Sequence, residues 1–564
     1  MESPPQAGWS GKHAVELYVR TYTTMLQSSG DIKIDSLVHA HLAMGSVLHP
    51  LAGEPRIDMG ALLYATRRLP DPISRCRLVV MGQSPQGFRA VIGADILSWT
   101  EMKAPARRRR WYHDGKTTLA VLIASPSDID DLVPTLVAYQ IEWNKLHQAL
   151  QEVELTDSGA RTAAGASEED WNRLHETWGD NFDDMLSTVK REECKIVLRL
   201  IGGSHLGYAR NASRWWQPIA AAMEEMDVRD APIYFVSSNT HSLVNVLSGV
   251  ARQFEREILD WVRDHDRNLD EERRKLEAGH SRASRHNWLY YAARELFDVH
   301  PDRERLRARR AEMETRSGIR HIPARGTGVD SAAQIFKISE LDPTSIDPRV
   351  GPVDAKKLRS SSACIVNVDY PLGLAAYHIL RQVAEHGAWV AGVYVLGKAA
   401  TLNADVGDVM IPNAVYNEHS GNTYWLDNCF SAADVQPNLV YGSALDNQRA
   451  VAVRGTFLQN RDYLDFYYQG RYTVVEMETG PYLDACYEIT QPDRYPLSES
   501  VNMARPGFDL GIVFYASDTP YTQARTLGAR GLRYKGMDST YASAIALARR
   551  ILQREEALPA RSLG

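Results

Sequence analysis

Residues 386–415, HGAWVAGVYVLGKAATLNADVGDVMIPNAV, read as a buried strand, a loop carrying Gly397 and Lys398, and a second strand opened by Val406-Gly407-Asp408. Both apolar runs are short, rich in β-branched residues and bounded by Gly or Pro, the pattern of strands covered on both faces. Just upstream, LAAYHILRQVAEHG has helical apolar spacing and ends on Gly387 in the position of a helix C-cap. Before it, SACIVNVDYPLG reads as a strand and turn. Downstream come two more apolar strands, in YTVVEME (residues 472–478) and FYASDTP (514–520), and a terminal amphipathic helix over 538–555. This alternation predicts an α/β domain over 326–564, a mixed sheet flanked by helices.

Residues 1–325 are expected to form a larger, separate α/β region. RLVVMG (77–82), TTLAVLIA (117–124), CKIVLRLIGG (194–203) and PIYFVSS (232–238) read as strands, and 127–153 and 241–266 as helices. The small polar stretch TDSGARTAAGAS (156–167) reads as an exposed linker. Residues 264–316 are heavily charged and read as a solvated helical connector, and Arg107–Arg110 as a solvated loop; phosphate binding is the rival for both. HIPARGTGVDSAAQIFKIS reads as a turn leading into a helix, where Arg325 could hold a phosphate at the helix N-terminus.

With 564 residues the chain exceeds one compact core. Its 44% apolar and 24% charged residues are those of a globular protein. A net charge of -7 argues against bulk nucleic-acid or membrane-surface binding. No apolar run is long enough to span a bilayer and the N-terminal residues lack a signal-peptide pattern. The five cysteines are scattered, without CxxC spacing, which points to free thiols in a reducing, cytoplasmic compartment and to no cysteine metal site.

The chemistry lies where apolar strands end on carboxyls. Breaking an N-ribosyl bond requires a grip on the sugar as its ring flattens and a proton for the departing base. Glu478 suits the first task, accepting the 2′- and 3′-hydroxyls, and Asp518 the second. Ser517 could orient Asp518, and Met477 could pack under the ribose. Taken singly, an EME after a strand is usually a surface turn, and SD before TP is a common helix N-cap.

Four blocks in order resemble the purine nucleoside phosphorylase and nucleosidase superfamily, which includes AMP nucleosidase and methylthioadenosine nucleosidase. They are NVDYPLGLAAYHIL (367–380), residues 386–415, VVEMETGPYLDACYE (474–488) and FYASDTP, whose SD-x-P form is nearest to AMP nucleosidase. The resemblance implies a nucleoside-phosphorylase-like, partly closed sheet, Glu478 on the ribose diol, Asp518 as general acid and Glu476 positioning water or a hydroxyl. It also implies a homo-oligomer acting on a small purine nucleoside or nucleotide without metal or cofactor.

The departures matter too. The family's central loop is Gly/Ser-rich, whereas here it is Gly397-Lys398-Ala399-Ala400-Thr401. Lys398 stands where phosphorolytic members have a serine and Val395 where they have an arginine, which favours hydrolysis. Lys398 could meet a 5′-phosphate or form a salt bridge. Tyr424 and Trp425 could stack on a base or pack internally, and Arg525 and Lys535 could approach a phosphate or lie in solvent. A phosphate-dependent phosphorylase and a non-catalytic nucleotide sensor or scaffold are the rival functions.

Overall fold

Local apolar runs become strands here, but long-range pairing decides which sheet each one joins. The computed structural model describes residues 7–28, 30–324, 328–520 and 537–558. Among these, six strands form a first sheet: β1 (Ile32–Lys33), β2 (Leu78–Gly82), β3 (Thr100–Ala104), β4 (Arg107–His113), β5 (Thr118–Leu122) and β6 (Val197–Ile201). Their spatial order is β1-β6-β2-β5-β4-β3, with β2 parallel to β5 and β6. The helix Pro126–Ala149 covers this sheet. At its start Asp128 Oδ2 accepts the Ser125 N–H at 3.2 Å, and Leu132, Leu136, Val137 and Trp143 pack on Val79, Met81, Leu119 and Val121. Each such buried side chain contributes roughly 1.5–3 kcal/mol.

The second sheet contains β7 (Pro232–Ser238), β8 (Ile319–Ile322), β9 (Ala333–Lys337), β10 (Cys364–Asp369), β11 (Trp389–Thr401), β12 (Val409–Asn417), β13 (Thr423–Leu426), β14 (Ala444–Ala452), β15 (Val474–Glu476), β16 (Ser500–Met503) and β17 (Asp509–Asp518). β7 lies between β10 and β11, parallel to both. β17 pairs with β11 and also with β12, so β11, β17, β12, β14 and β15 form a ring of paired strands. Side chains alternate along β11. Val393, Val395 and Ala399 pack with Ile379, Leu380 and Tyr482 on one face. Tyr394 and Leu396 pack with Val244, Leu247 and Ile545 on the other.

Several expectations change. The boundary expected at 325 does not coincide with the change of sheet, because β7 and β8 precede it and belong to the larger sheet. The expected linker 156–167 holds a helix, Asp157–Ala164, capped by Thr156 and packed through the small residues Ala160 and Ala164. The helix expected after the turn near 325 is the strand β9, whose Ile335 and Phe336 are buried on opposite faces. Residues 241–266 form three helices, Ser242–Ser248, Val250–Gln253 and Glu255–His265, the first break falling at Gly249 with φ 61°. The charged connector is helical, but Trp288, Tyr290, Phe297 and Leu306 bury its inner faces in the larger sheet's core.

Arg107–Arg110 lie in β4 rather than in a solvated loop. Arg109 is 5% exposed; its Nε donates to Asp128 Oδ1 at 2.8 Å and its Nη2 to Asp131 Oδ2 at 2.8 Å. Burial raises the Asp131 carboxyl, but Arg107 and Arg109 outweigh it and hold it at about 2. No helix among the described residues is long and apolar enough to cross a membrane.

Candidate functional site

β11 is the spine of the site. Its Ala400 pairs with Val475 on one side and with Asp518 on the other. Neighbouring strands lie about 4.8 Å apart, so the backbones of β15 and β17, on either side of β11, are at most about 10 Å apart. The β11–β17 register shifts at Ala399/Ala400, and such an irregularity re-aims the side chains beside it. Glu476 ends β15 and Met477 and Glu478 follow it, while Ser517 and Asp518 end β17, so the sheet brings these sequence-predicted residues to one region.

Glu476 is 6% exposed. Its Oε2 accepts the backbone N–H groups of Glu478 at 2.7 Å and Thr479 at 2.8 Å, while Oε1 is buried with no partner among the described residues. Glu478 precedes the helix Thr479–Thr490, and its Oε1 accepts the Gly373 N–H at 3.3 Å. Burial pushes both carboxyls above the ordinary carboxylate range. Adjacent Glu478 adds to the rise at Glu476, while the Gly373 amide and Arg107 oppose it at Glu478.

A raised carboxyl keeps a proton that the unfolded chain has released. Its stability contribution is therefore complete below the ordinary carboxylate range and is lost as pH climbs through the raised value, at about 1.4 kcal/mol per pH unit for one proton. Glu476→Gln fixes the neutral form and supplies an N–H where Oε1 has no partner. This variant should melt near the wild type at about pH 5 and above it at about pH 9, as thermal melts at both would reveal. An equal shift at both pH values would mean that Glu476 is ionised throughout.

Asp518 is 4% exposed, and its Oδ1 accepts the Thr519 N–H at 2.8 Å. Ser517 Oγ donates to the Ala399 carbonyl at 3.4 Å, on the strand rather than on Asp518. Met477 is half-buried against Tyr463 and Val475, its Sδ 4.0 Å from Thr456 Oγ1. Gly397 is buried opposite Phe514, and a Cβ there would stand 3.8 Å from Tyr370. Lys398 pairs with Tyr515 in the ladder; its side chain is exposed and makes no ion pair among the described residues.

Tyr424 is a correction. It sits in β13, two strands from β17, fully buried with Val415 and Val501, and its hydroxyl donates to Asp484 Oδ1 at 2.5 Å. Burial raises that carboxyl to about 6. The ring is therefore core, while Trp425 beside it is exposed under the Arg449 guanidinium. Arg325, Arg525 and Lys535 lie outside the described residues.

Sequence reasoning missed what the first sheet contributes. Arg108 of β4 donates to the Asp369 carboxylate and, at 2.7 Å, to the Tyr370 carbonyl. Ser127 accepts the Leu374 N–H at 2.9 Å. The Tyr370 and Tyr515 hydroxyls meet at 2.8 Å near the same strand ends. No local signal could find these residues, because each acts across sheets or between distant strands. Among the described residues no group of three or more His, Cys, Asp or Glu side chains is arranged to hold a metal ion.

A family model described as a family of unknown function (DUF6909) matches residues 34–553. No curated protein matches the chain. Solved structures do. The nucleosidase for 5′-methylthioadenosine and S-adenosylhomocysteine from Colwellia psychrerythraea, in complex with adenine, is 11% identical with a TM-score of 0.29, covering 42% of this chain and 90% of that one. Uridine phosphorylase from Schistosoma mansoni, in complex with thymidine, is 10% identical with a TM-score of 0.30, covering 60% and 93%. AMP nucleosidase from Bacteroides thetaiotaomicron is 13% identical with a TM-score of 0.21, covering 34% and 74%.

Proposed function

Since the chain belongs to DUF6909, a family of unknown function, its activity has to be argued from its own residues, and we propose hydrolysis of the N-glycosidic bond of a purine nucleoside or nucleotide. The observation that carries this proposal is the flanking of Ala400 by β15, which ends on Glu476 and leads into Glu478, and by Asp518 on β17. The motif order supports it as well. Glu478 accepts the ribose hydroxyls. Asp518 donates a proton to the base as the C1′–N bond breaks, water adds its oxygen to C1′, and the water's proton restores the Asp518 carboxyl. Oε1 of Glu476, without a hydrogen-bond partner among the described residues, meets that water or a sugar hydroxyl. Met477 lies under the sugar, while Gly397 and Ser517 shape the strand floor.

The deciding experiment is chromatographic detection of free base from a panel of purine nucleosides and 5′-nucleotides, with and without phosphate. Base released without phosphate supports hydrolysis; release only with phosphate would make the enzyme a phosphorylase. No release from any substrate, together with saturable purine binding, would leave a nucleotide sensor.

Lys398 separates the substrate classes. An exposed cation without an ion-pair partner among the described residues can meet a 5′-phosphate. Lys398→Ala is expected to raise KM for a 5′-nucleotide roughly tenfold, about 1.4 kcal/mol, and to leave the nucleoside KM unchanged. Equal KM changes for both would remove Lys398 from phosphate recognition.

A further inference from the structure

The turn from Asp369 to Leu374 is fastened at both ends by the first sheet's region. At one end Arg108 bonds Asp369 and the Tyr370 carbonyl. At the other, Ser127 Oγ accepts the Leu374 N–H at 2.9 Å. Ser127 is fully buried in the first turn of the helix Pro126–Ala149. Gly373, immediately before Leu374, gives its own N–H to Glu478 Oε1. Consecutive amides therefore serve Ser127 and Glu478, so fixing one peptide plane constrains the next.

The packing leaves little slack. Gly373 has φ 51°, and a Cβ there would lie 2.3 Å from Ser127 Oγ. On its other side Ser127 Oγ stands 3.5 Å from His419 Nε2. Burial, with Arg454 adding to it, holds His419 at about 3, so the imidazole is neutral and can accept the hydroxyl proton. The same helical turn is anchored again through Asp130, which pairs with Arg454 at 3.4 Å and accepts from the Tyr22 hydroxyl at 2.5 Å.

We propose that Ser127 is a positioning residue for Glu478, so that a helix of the first sheet sets the grip on the substrate's 2′- and 3′-hydroxyls. The proposal rests on the nucleosidase function above, and it gives the N-terminal region a part in sugar recognition. Loosening the turn should penalise substrates in proportion to what Glu478 holds. Replacing ribose by 2′-deoxyribose removes one of those hydroxyls.

The test compares kcat/KM for a purine riboside and its 2′-deoxyriboside in full-length wild type, Ser127→Ala and Glu478→Gln. The wild type should prefer the riboside, and Ser127→Ala should cut that preference roughly tenfold, in the direction of Glu478→Gln. Equal losses on both substrates would mean a merely structural Ser127 and overturn the proposal. Arg108→Ala, at the exposed end of the same turn, provides a second variant that should fold and should lower the preference in the same sense. Hydrogen exchange at Gly373 and Leu374 should quicken in Ser127→Ala; unchanged exchange overturns the clamp. If the wild type released no base, the nucleosidase function would fail, while exchange would still decide whether Ser127 holds the turn.

Discussion

Asp518→Asn is expected to lower kcat for purine release by about 10²–10⁴-fold, the usual worth of a positioned general acid. Asn keeps the size and can accept the Thr519 N–H, but it has no acidic proton to give. β17 is held along β11 up to the pairing of Ala400 with Asp518, so the exchange should leave the strand in place. KM should therefore stay near the wild-type value, with the loss in the chemical step. A riboside whose leaving group departs unprotonated, such as p-nitrophenol, provides the control. Its hydrolysis should survive in Asp518→Asn while purine release disappears. Equal loss on both substrates would assign Asp518 to structure or sugar binding instead.

Arg109→Ala should destabilise the first sheet by about 3–5 kcal/mol, the cost of leaving buried partner charges uncompensated. The guanidinium is shared by Asp128 and Asp131. Asp128 also accepts the Ala124 N–H at 2.6 Å, so the same loss weakens the start of the helix Pro126–Ala149. Arg107→Ala should cost less, because Asp131 would keep Arg109. Urea unfolding, followed by tryptophan fluorescence, checks the order. If the two variants were equally stable, the buried pairs would not be what holds this sheet. Since Ser127 lies in the same helical turn, Arg109→Ala should also slacken the grip on Leu374.

The strands around Ala400 were legible because buried strands write themselves locally: AWVAGVYVLG, VVE and LGIVFYAS are unbroken apolar runs, two of them ending at carboxyls. Their residues Glu476, Glu478 and Asp518 could be picked out for the same reason. Partnership was not legible. PIYFVSS reads as a strand, yet nothing within it states that it will lie between β10 and β11. Arg109 looks solvated until Asp128 and Asp131 arrive from a helix beyond the next strand. Tyr424 left stacking and packing both open because its four-residue strand is too short to show a period. The helix Asp157–Ala164 was hidden by small residues, which pack closely but carry little apolar signal.

The central place of β7 has a consequence for how the chain is made. Pro232–Ser238 leaves the ribosome long before Cys364–Asp369 and Trp389–Thr401, its two neighbours in the sheet. Until Cys364–Asp369 has emerged this apolar strand has no partner, until Trp389–Thr401 follows it has only one, and closing so long a loop is slow. The larger sheet cannot assemble around its centre before synthesis reaches Thr401. A nascent chain stalled short of that point would present a hydrophobic strand with at least one unpaired edge, the kind of segment that chaperones bind and that aggregates seed from.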